Sequence, residues 1–363
     1  MAEIYYLLTW GTFWLMLLCF VFLLTVSVPR RDDLRSYKRV RLLLAWGVFF
    51  LMTLVNLTEL SMSDSGTNDD IWYTRLMTLW IGACVAPVFS IVNITLINSH
   101  FFSWRSLVRD LVIPLVLVAG NVFLFEIFSA KSLAFLFAYV VFIVYYVFVV
   151  VAYTVIFLRN YRQYSIRLNN YFSEPGSNLL KWTVTTQFLA TSSGIMAFVS
   201  LFMPHGWLCV FALFLNILYP YYAIRFINYA FQFPVIAPVV EEVMEEEPVV
   251  RDSVFMLEDI VGEWEKEKRY LQPELNIEMV AHELSTNRTY LSSYINTCKN
   301  KNFKEWISNL RIAEAQRLLL SEPKTPINEI GERVGFSDKG NFSTRFSKSV
   351  GMSPSLWRKT HLK

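Results

Sequence analysis

Seven stretches of the chain run almost without charge for the length of a membrane crossing: 4–28, 42–60, 72–97, 111–128, 133–158, 182–203 and 207–226. A helix needs roughly 20 apolar residues to cross about 30 Å of hydrocarbon. Only structures that satisfy their own backbone hydrogen bonds are tolerated there. The pattern therefore predicts a seven-helix transmembrane bundle. Beyond residue 240 it changes: apolar residues recur every three or four positions among charged ones, the period of amphipathic helices in a water-soluble domain. The predicted class is all-α in four parts. These are a membrane domain over 1–230, an acidic Pro-containing linker over 231–252, an amphipathic connecting helix over 253–273, and a C-terminal helical domain over 274–363.

The cations orient the spans, since positively charged short loops stay on the cytoplasmic side. Arg30, Arg31, Arg35, Lys38, Arg39 and Arg41 follow the first span, Arg105 and Arg109 the third, Arg159, Arg162, Arg167 and Lys181 the fifth, and Arg225 the seventh. Only Arg75 and Lys131 remain for the other side, whose largest loop holds Asp64, Asp69 and Asp70. The N-terminus is expected outside and the C-terminus in the cytoplasm, which an odd number of spans requires. No basic segment precedes the first apolar run and no small-residue cleavage site follows it, so that run is read as a retained span. The expected location is a bacterial cytoplasmic membrane, with the lipid bilayer as one partner.

Composition agrees with this division. Of 363 residues 54% are hydrophobic, too many for an ordinary water-soluble protein. Residues 241–273 hold 4 cations against 11 acids and residues 274–363 hold 14 against 9, so an acidic connector precedes a basic domain. A small basic domain is the electrostatic footprint of a nucleic-acid binder, although solubility charge has the same form. The Glu run 241–247, bracketed by Pro234, Pro238 and Pro248, has the composition of a solvated spacer. From residue 254, Val254, Leu257, Ile260, Val261 and Trp264 form one helical stripe.

Within 274–363 two helix-turn-helix units are predicted. In the first, Ile277, Val280, Ala281 and Leu284 face inward, Ser285 and Thr286 make the turn, and Asn287 caps a helix from Arg288 to about Thr297. In the second, Thr325 caps, Pro326 takes the first helical position, and Ile327, Ile330 and Val334 face inward. Gly335 turns, Phe336 anchors, and Ser337 with Asp338 open the second recognition helix. Phe303, Trp306, Ile307, Leu310, Ala313 and Leu318 make the amphipathic helix joining the units. Two rigidly joined recognition helices suit successive major grooves, about 34 Å apart.

The run Leu310-Arg311-Ile312-Ala313-Glu314-Ala315-Gln316-Arg317-Leu318-Leu319, then Ile327, Ile330, Gly331, Val334-Gly335-Phe336-Ser337-Asp338, Phe342, Phe346, Gly351-Met352-Ser353-Pro354 and Trp357-Arg358, resembles the AraC/XylS family of bacterial transcription regulators over about 90 residues. The resemblance implies two helix-turn-helix units, double-stranded DNA as ligand, and control of transcription, usually activation, with RNA polymerase as a partner. It places the base-facing positions of the first recognition helix on Thr289, Ser292 and Ser293, with Arg288 alongside. In the second they fall on Lys339, Gly340, Asn341 and Thr344, with Arg345 next to them. Lys and Asn there suit guanine and adenine, but such cations are also common phosphate contacts or solvated charges. The sequence departs from the pattern at Ser285, where Gly is usual, at Gly331, where Ala is usual, and at Ser347, where a basic residue is common. The family's usual sensory region is soluble, so its ligands do not transfer to a membrane portion.

Ionisable groups inside spans are costly and hence functional candidates. Glu59 and Glu126 qualify, both near the outer ends of their helices, where water also reaches. With Asn56, Asn93, Asn121, Gln187 and Asn216 they make a candidate pocket for a small-molecule effector. Interhelical hydrogen bonding is the favoured role for the amides. The sixth span is rich in hydroxyls, with Thr183, Thr185, Thr186, Thr191, Ser192 and Ser193. A signal bound there is expected to reach the DNA-binding domain through the seventh span and the 254–264 stripe, through dimer geometry if the chain forms a homodimer. The alternatives are an anchor without sensing, or a transporter or receptor with a regulatory tail. A retinal linkage needs a lysine in the seventh span, which has none. No enzyme, cofactor or metal site is expected: His100, His205, His282 and His361 are scattered, and Cys19, Cys84, Cys209 and Cys298 lack ligand spacing.

Overall fold

The computed structural model describes residues 2–28, 34–62, 68–173, 180–203, 205–241 and 257–362. Arg30, Arg31, Asp64, Glu242 to Glu247 and Val254 lie outside these residues, as do the side chains of Glu59, Asp69 and Asp70. The described residues are helical, with an isolated antiparallel bridge between Phe172 and Asn276 and no strand. They fall into two compact units, Met1–Tyr164 with Leu180–Glu242, and Ser165–Leu179 with Val243–Lys363.

The first unit contains α1 (Ala2–Thr25), α2 (Arg35–Leu44) running through a π-helical turn (Ala45–Phe50) into α3 (Leu51–Met62), and α4 (Asn68–Thr95). There follow α5 (Trp104–Phe128), the first part of α6 (Leu133–Tyr171), α7 (Lys181–Ser200), α8 (His205–Tyr229) and α9 (Phe233–Glu241). Among the described residues six helices are long and apolar enough to cross a membrane. Helix α7, over the sixth predicted span, is not one of them. Its threonines, serines and Gln187 lower its hydropathy, although it is a helix of 20 residues.

The helices also begin earlier or run longer than the apolar stretches. Arg35, Lys38, Arg39 and Arg41 stand on α2, Arg105 and Arg109 on α5, and Arg159, Arg162 and Arg167 on α6, where loops are predicted. Hydrophobicity marks the part of a helix that suits hydrocarbon, whereas the helix itself ends where its backbone ladder ends. A second difference lies at 233–241, the start of the predicted spacer. Pro234 enters near the helix start, where its missing N–H costs nothing, and Phe233, Ile236, Ala237 and Val239 are buried.

Aromatic residues hold much of this unit together. Tyr37 stacks on Phe226 at 4.9 Å and donates from its hydroxyl to the Phe226 carbonyl at 2.6 Å. Arg41 donates to the Val26 carbonyl at 2.7 Å, capping the end of α1 with a cation. Phe135, Phe142, Tyr146, Leu76 and Leu79 form a buried core of α4 and α6.

The second unit contains the end of α6, α10 (Leu257–Lys266), α11 (Ile277–Glu283), α12 (Arg288–Cys298), α13 (Phe303–Ser321), α14 (Ile327–Arg333), α15 (Lys339–Val350) and α16 (Pro354–His361). In α10, Leu257, Val261 and Trp264 are buried and Ile260 is exposed. Trp264 lies on Trp306 at 5.4 Å, and each indole N–H finds a carboxylate: Trp264 on Glu283 at 2.7 Å, Trp306 on Glu265 at 2.8 Å. A capping box of Asn302 and Glu305 starts α13.

Two expectations for α13 and α14 are corrected. Ala313, expected on the inner stripe, is exposed, and the neighbouring Arg311 is buried. Thr325 does not cap α14: Pro326 holds the cap position, and the Thr325 hydroxyl donates to Glu322.

Candidate nucleic-acid interface

The two helix-turn-helix units repeat one set of backbone bonds. Leu284 N–H donates to the Val280 carbonyl at 3.0 Å, Ser285 to His282 at 3.1 Å and Thr286 to Ala281 at 2.9 Å. In the second unit Val334 donates to Ile330 at 3.0 Å, Gly335 to Glu332 at 3.0 Å and Phe336 to Gly331 at 3.0 Å. Both turns need a left-handed residue, Ser285 at φ 53° and Gly335 at φ 92°. The serine takes this conformation where glycine takes it without Cβ strain. Each turn then feeds a side-chain cap: Asn287 accepts from Tyr290 N–H at 2.9 Å, and Asp338 accepts from Gly340 N–H at 2.6 Å.

Buried Leu291, Tyr294 and Ile295 fix the inner face of α12, and Phe342 with Phe346 that of α15. Successive residues of a helix turn by about 100°. On α12, Thr289, Ser292 and Ser293 therefore share the opposite, outward face with Asn296, whose amide donates to the Ser292 hydroxyl at 3.5 Å. On α15 the outward face joins Gly340, Asn341 and Thr344 with Lys348. Asn296 and Lys348 are absent from the set expected from the motif, whose positions end in the second turn of each helix, whereas these two lie in the third.

Lys339 is exposed at the first helical position, nearer in angle to Phe346 than to Asn341. Arg345 is half-buried; desolvation lowers its pKa from the ordinary guanidinium value, against the attraction of Glu305. It stands at the edge of the outward face. Arg288 opens α12, partly buried. Lys304 is buried and donates to Asn169 at 2.8 Å, so it is committed to the protein interior.

What holds the second unit in place is Arg311. It is 1% exposed, donates from Nε to the Tyr270 carbonyl at 2.8 Å and from a terminal nitrogen to the Gln272 carbonyl at 2.6 Å, and lies over the Phe336 ring at 5.7 Å. Gly331 packs under Phe342: a Cβ there would stand 2.8 Å from the Phe342 ring. That contact accounts for glycine at this position.

Glu314 is buried between Lys268 at 2.9 Å and Arg317 at 2.6 Å. The hydrogen bond from Arg317 leads in holding its carboxyl below the ordinary carboxylate value, helped by Lys268 and opposed by burial. A depressed folded pKa contributes stability that is present above the unfolded carboxylate range and is lost as pH falls through the folded value. Glu314→Gln is expected to flatten the acid limb of the stability curve. Urea midpoints measured between about pH 3 and 6 check this, and an unchanged acid limb would assign it to other carboxylates.

The helix-turn-helix domain family profile matches residues 280–360. The Msm operon regulatory protein of Streptococcus mutans is 39% identical over 85 residues, 23% of this chain and 30% of its own. The arabinose operon regulatory protein of Escherichia coli is 45% identical over 53 residues, 15% of this chain and 18% of its own. Residues 280–360 are an AraC-type helix-turn-helix domain. A solved C-terminal domain of AraT, a response regulator from Geobacillus stearothermophilus, is 32% identical, covering 33% of this chain and 91% of that one at a TM-score of 0.26. The chain thus spans less than a third of the length of the two curated relatives. The AraC-type domain and these relatives are regulators of transcription, not enzymes.

The membrane-side candidates do not gather in one place. Asn93 accepts from Tyr222 at 2.8 Å and donates to Gln187 at 3.1 Å, which donates to Ser90 at 3.0 Å. Asn121 donates to the carbonyls of Leu117 and Ala138, Asn216 donates to Thr12 at 2.9 Å, and Glu126 accepts from Tyr73. Of the set with described side chains, Asn56 alone lines the cavity described below. Sequence reading passed over Asp110, because it adjoins Arg109 and reads as loop. It is buried on α5, accepting from Arg109 at 2.9 Å and from Tyr153.

Proposed function

We propose that the protein is a membrane-embedded, sequence-specific DNA-binding transcription regulator, its membrane helices in a bacterial cytoplasmic membrane with the N-terminus outside and the AraC-type domain in the cytoplasm. The observation that carries this reading is the pairing, in one chain, of a tandem helix-turn-helix with a bundle whose outer side chains are apolar: Leu133, Phe137, Phe148 and Ile217 are 86%, 72%, 67% and 73% exposed. So much exposed apolar surface is unstable in water and suited to lipid. Thr289, Ser292, Ser293 and Asn296 on one helix, and Gly340, Asn341, Thr344 and Lys348 on the other, face the major groove. Arg288, Lys339 and Arg345 flank them toward phosphate. RNA polymerase is the expected partner in activation, and a second copy of the chain is the expected partner on a two-fold site.

Coupling between signal and DNA runs through α6. This helix is unbroken from Leu133 to Tyr171, and its end is built into the second unit. There Tyr171 donates to Glu278 at 2.7 Å, Lys304 donates to Asn169 at 2.8 Å, and Ser173 N–H donates to the Leu275 carbonyl at 2.9 Å. Glu278 lies in the first turn of α11, the positioning helix of the first helix-turn-helix. The chain thus passes between the first and second units through α6 as well as through the acidic spacer.

The test uses the full chain in lipid nanodiscs, with target sites first supplied by genome-wide mapping of bound DNA. Affinity should fall linearly with salt on a logarithmic scale, as counterions are released. Asn341→Ala should reduce discrimination between target and random duplex by about 1–3 kcal/mol, whereas Lys339→Ala should weaken both alike. No affinity for duplex DNA at low salt would turn the reading toward a protein-interaction module.

A further inference from the structure

The first unit contains a partly open cavity of about 120 Å³ among α1, α3, α4, α6, α7 and α8. Its walls are mostly apolar, with Val85, Phe89, Phe211 and Leu215 among them, and no charged side chain among the described residues lines it. Eight polar side chains line it: Tyr5, Thr9, Thr12, Asn56, Thr78, Tyr146, Ser193 and Tyr219. Five of these seven hydroxyls donate to a backbone carbonyl. Thr9 donates to Tyr5 at 3.0 Å, Thr12 to Leu8 at 2.8 Å, Thr78 to Thr74 at 2.8 Å, Tyr146 to Gly194 at 2.7 Å and Ser193 to Ala190 at 2.7 Å. The Asn56 amide donates to Met52 at 2.7 Å.

A hydroxyl has one proton and two acceptor positions. Where the proton is spent on the backbone, such an oxygen has acceptor capacity left for the cavity, Thr12 less than the others because it also accepts from Asn216. A polar group there without a partner costs free energy, and an ion without a counter-charge costs far more. We propose that the cavity is a binding site for a small neutral molecule of about benzene size that carries an O–H or N–H donor on an apolar body, such as a phenol or an alcohol. The size follows from the volume, since a cavity of roughly 150 Å³ holds benzene. Tyr146 supplies one wall and is fixed in place: a Cβ on Gly82 would lie 2.6 Å from its ring, and its hydroxyl is tied to α7. Because Tyr146 stands on α6, a ligand here touches the helix that continues into the second unit. The ligand's role as a signal rests on the function proposed above; its binding does not.

The probes are phenol and toluene, equal in heavy-atom count and differing in the donor. Binding is measured by ligand-observed NMR on the full-length protein in detergent, with empty micelles as reference. Phenol is expected to bind saturably and about tenfold more tightly than toluene. Thr9→Val and Ser193→Ala, which remove acceptors at little change in volume, should each cut that preference several-fold, and Ala190→Phe should abolish saturable binding by filling the space. Equal binding of the two probes, or a phenol preference indifferent to both acceptor substitutions, overturns the proposal, and these two variants decide it even if Ala190→Phe fails to fold. DNA affinity with and without phenol is a separate readout. Saturable phenol binding with unchanged DNA affinity upholds the site and removes only its signalling role.

Discussion

Gly335→Ala is expected to cost the AraC-type domain roughly 3–5 kcal/mol, as the left-handed backbone penalty adds to a steric one. Gly335 has φ 92°, and a Cβ there would stand 2.5 Å from the Leu271 carbonyl oxygen and 3.0 Å from the Arg311 guanidinium. Neither neighbour can yield at low cost. Leu271 lies between the two carbonyls that Arg311 holds, those of Tyr270 and Gln272, and Arg311 is itself buried. Small domains have about 5–15 kcal/mol in total, so the second helix-turn-helix should melt early and take specific DNA binding with it. Tryptophan fluorescence against urea gives the loss, since Trp357 packs on Phe346 in the core behind this turn. Arg311→Met, which keeps volume but leaves both carbonyls without their donor, should be destabilising at the same site and less than additive with Gly335→Ala. A loss below about 1 kcal/mol for Gly335→Ala would mean that the turn relaxes and that Arg311 is not the keystone of this unit.

The second large effect is expected from releasing the end of α6. Tyr171→Phe with Asn169→Ala removes the bonds to Glu278 and Lys304. Both involve charged groups, so together they are expected to contribute roughly 2–4 kcal/mol, a factor of about 30 to 1000 in the docked population. Substituting the α6 side leaves α11, α12 and α15 untouched, so affinity for naked target duplex should change less than about twofold, under 0.5 kcal/mol. What should be lost is the difference in reporter transcription between growth conditions. Hydrogen exchange at the start of α11 should rise in parallel. A double variant that keeps its condition-dependent transcription would show that α6 is a bystander and that any signal travels elsewhere.

The elements of this protein that depend on neighbours in sequence were readable from it. Apolar stretches of about 20 residues specify helices through length and composition, and the Ile277-to-Leu284 and Ile327-to-Val334 stripes with Asn287 and Asp338 at the caps specify two helix-turn-helix units by local hydrogen bonding. The AraC-type domain was recognisable for the same reason, since its landmarks lie at fixed spacings within about 90 residues. Tertiary structure decided what depends on partners far along the chain. Arg311 finds its acceptors only when the Tyr270 and Gln272 carbonyls, some 40 residues away, are brought against it. Lys304 is held in the interior by Asn169, 135 residues earlier in the chain. Of the predicted pocket amides with described side chains Asn56 alone reaches the cavity, beside hydroxyls whose acceptor positions appear only when each proton's destination is known. Hydropathy reports the solvent that a segment prefers, and it is silent on which segment of another helix comes to lie beside it.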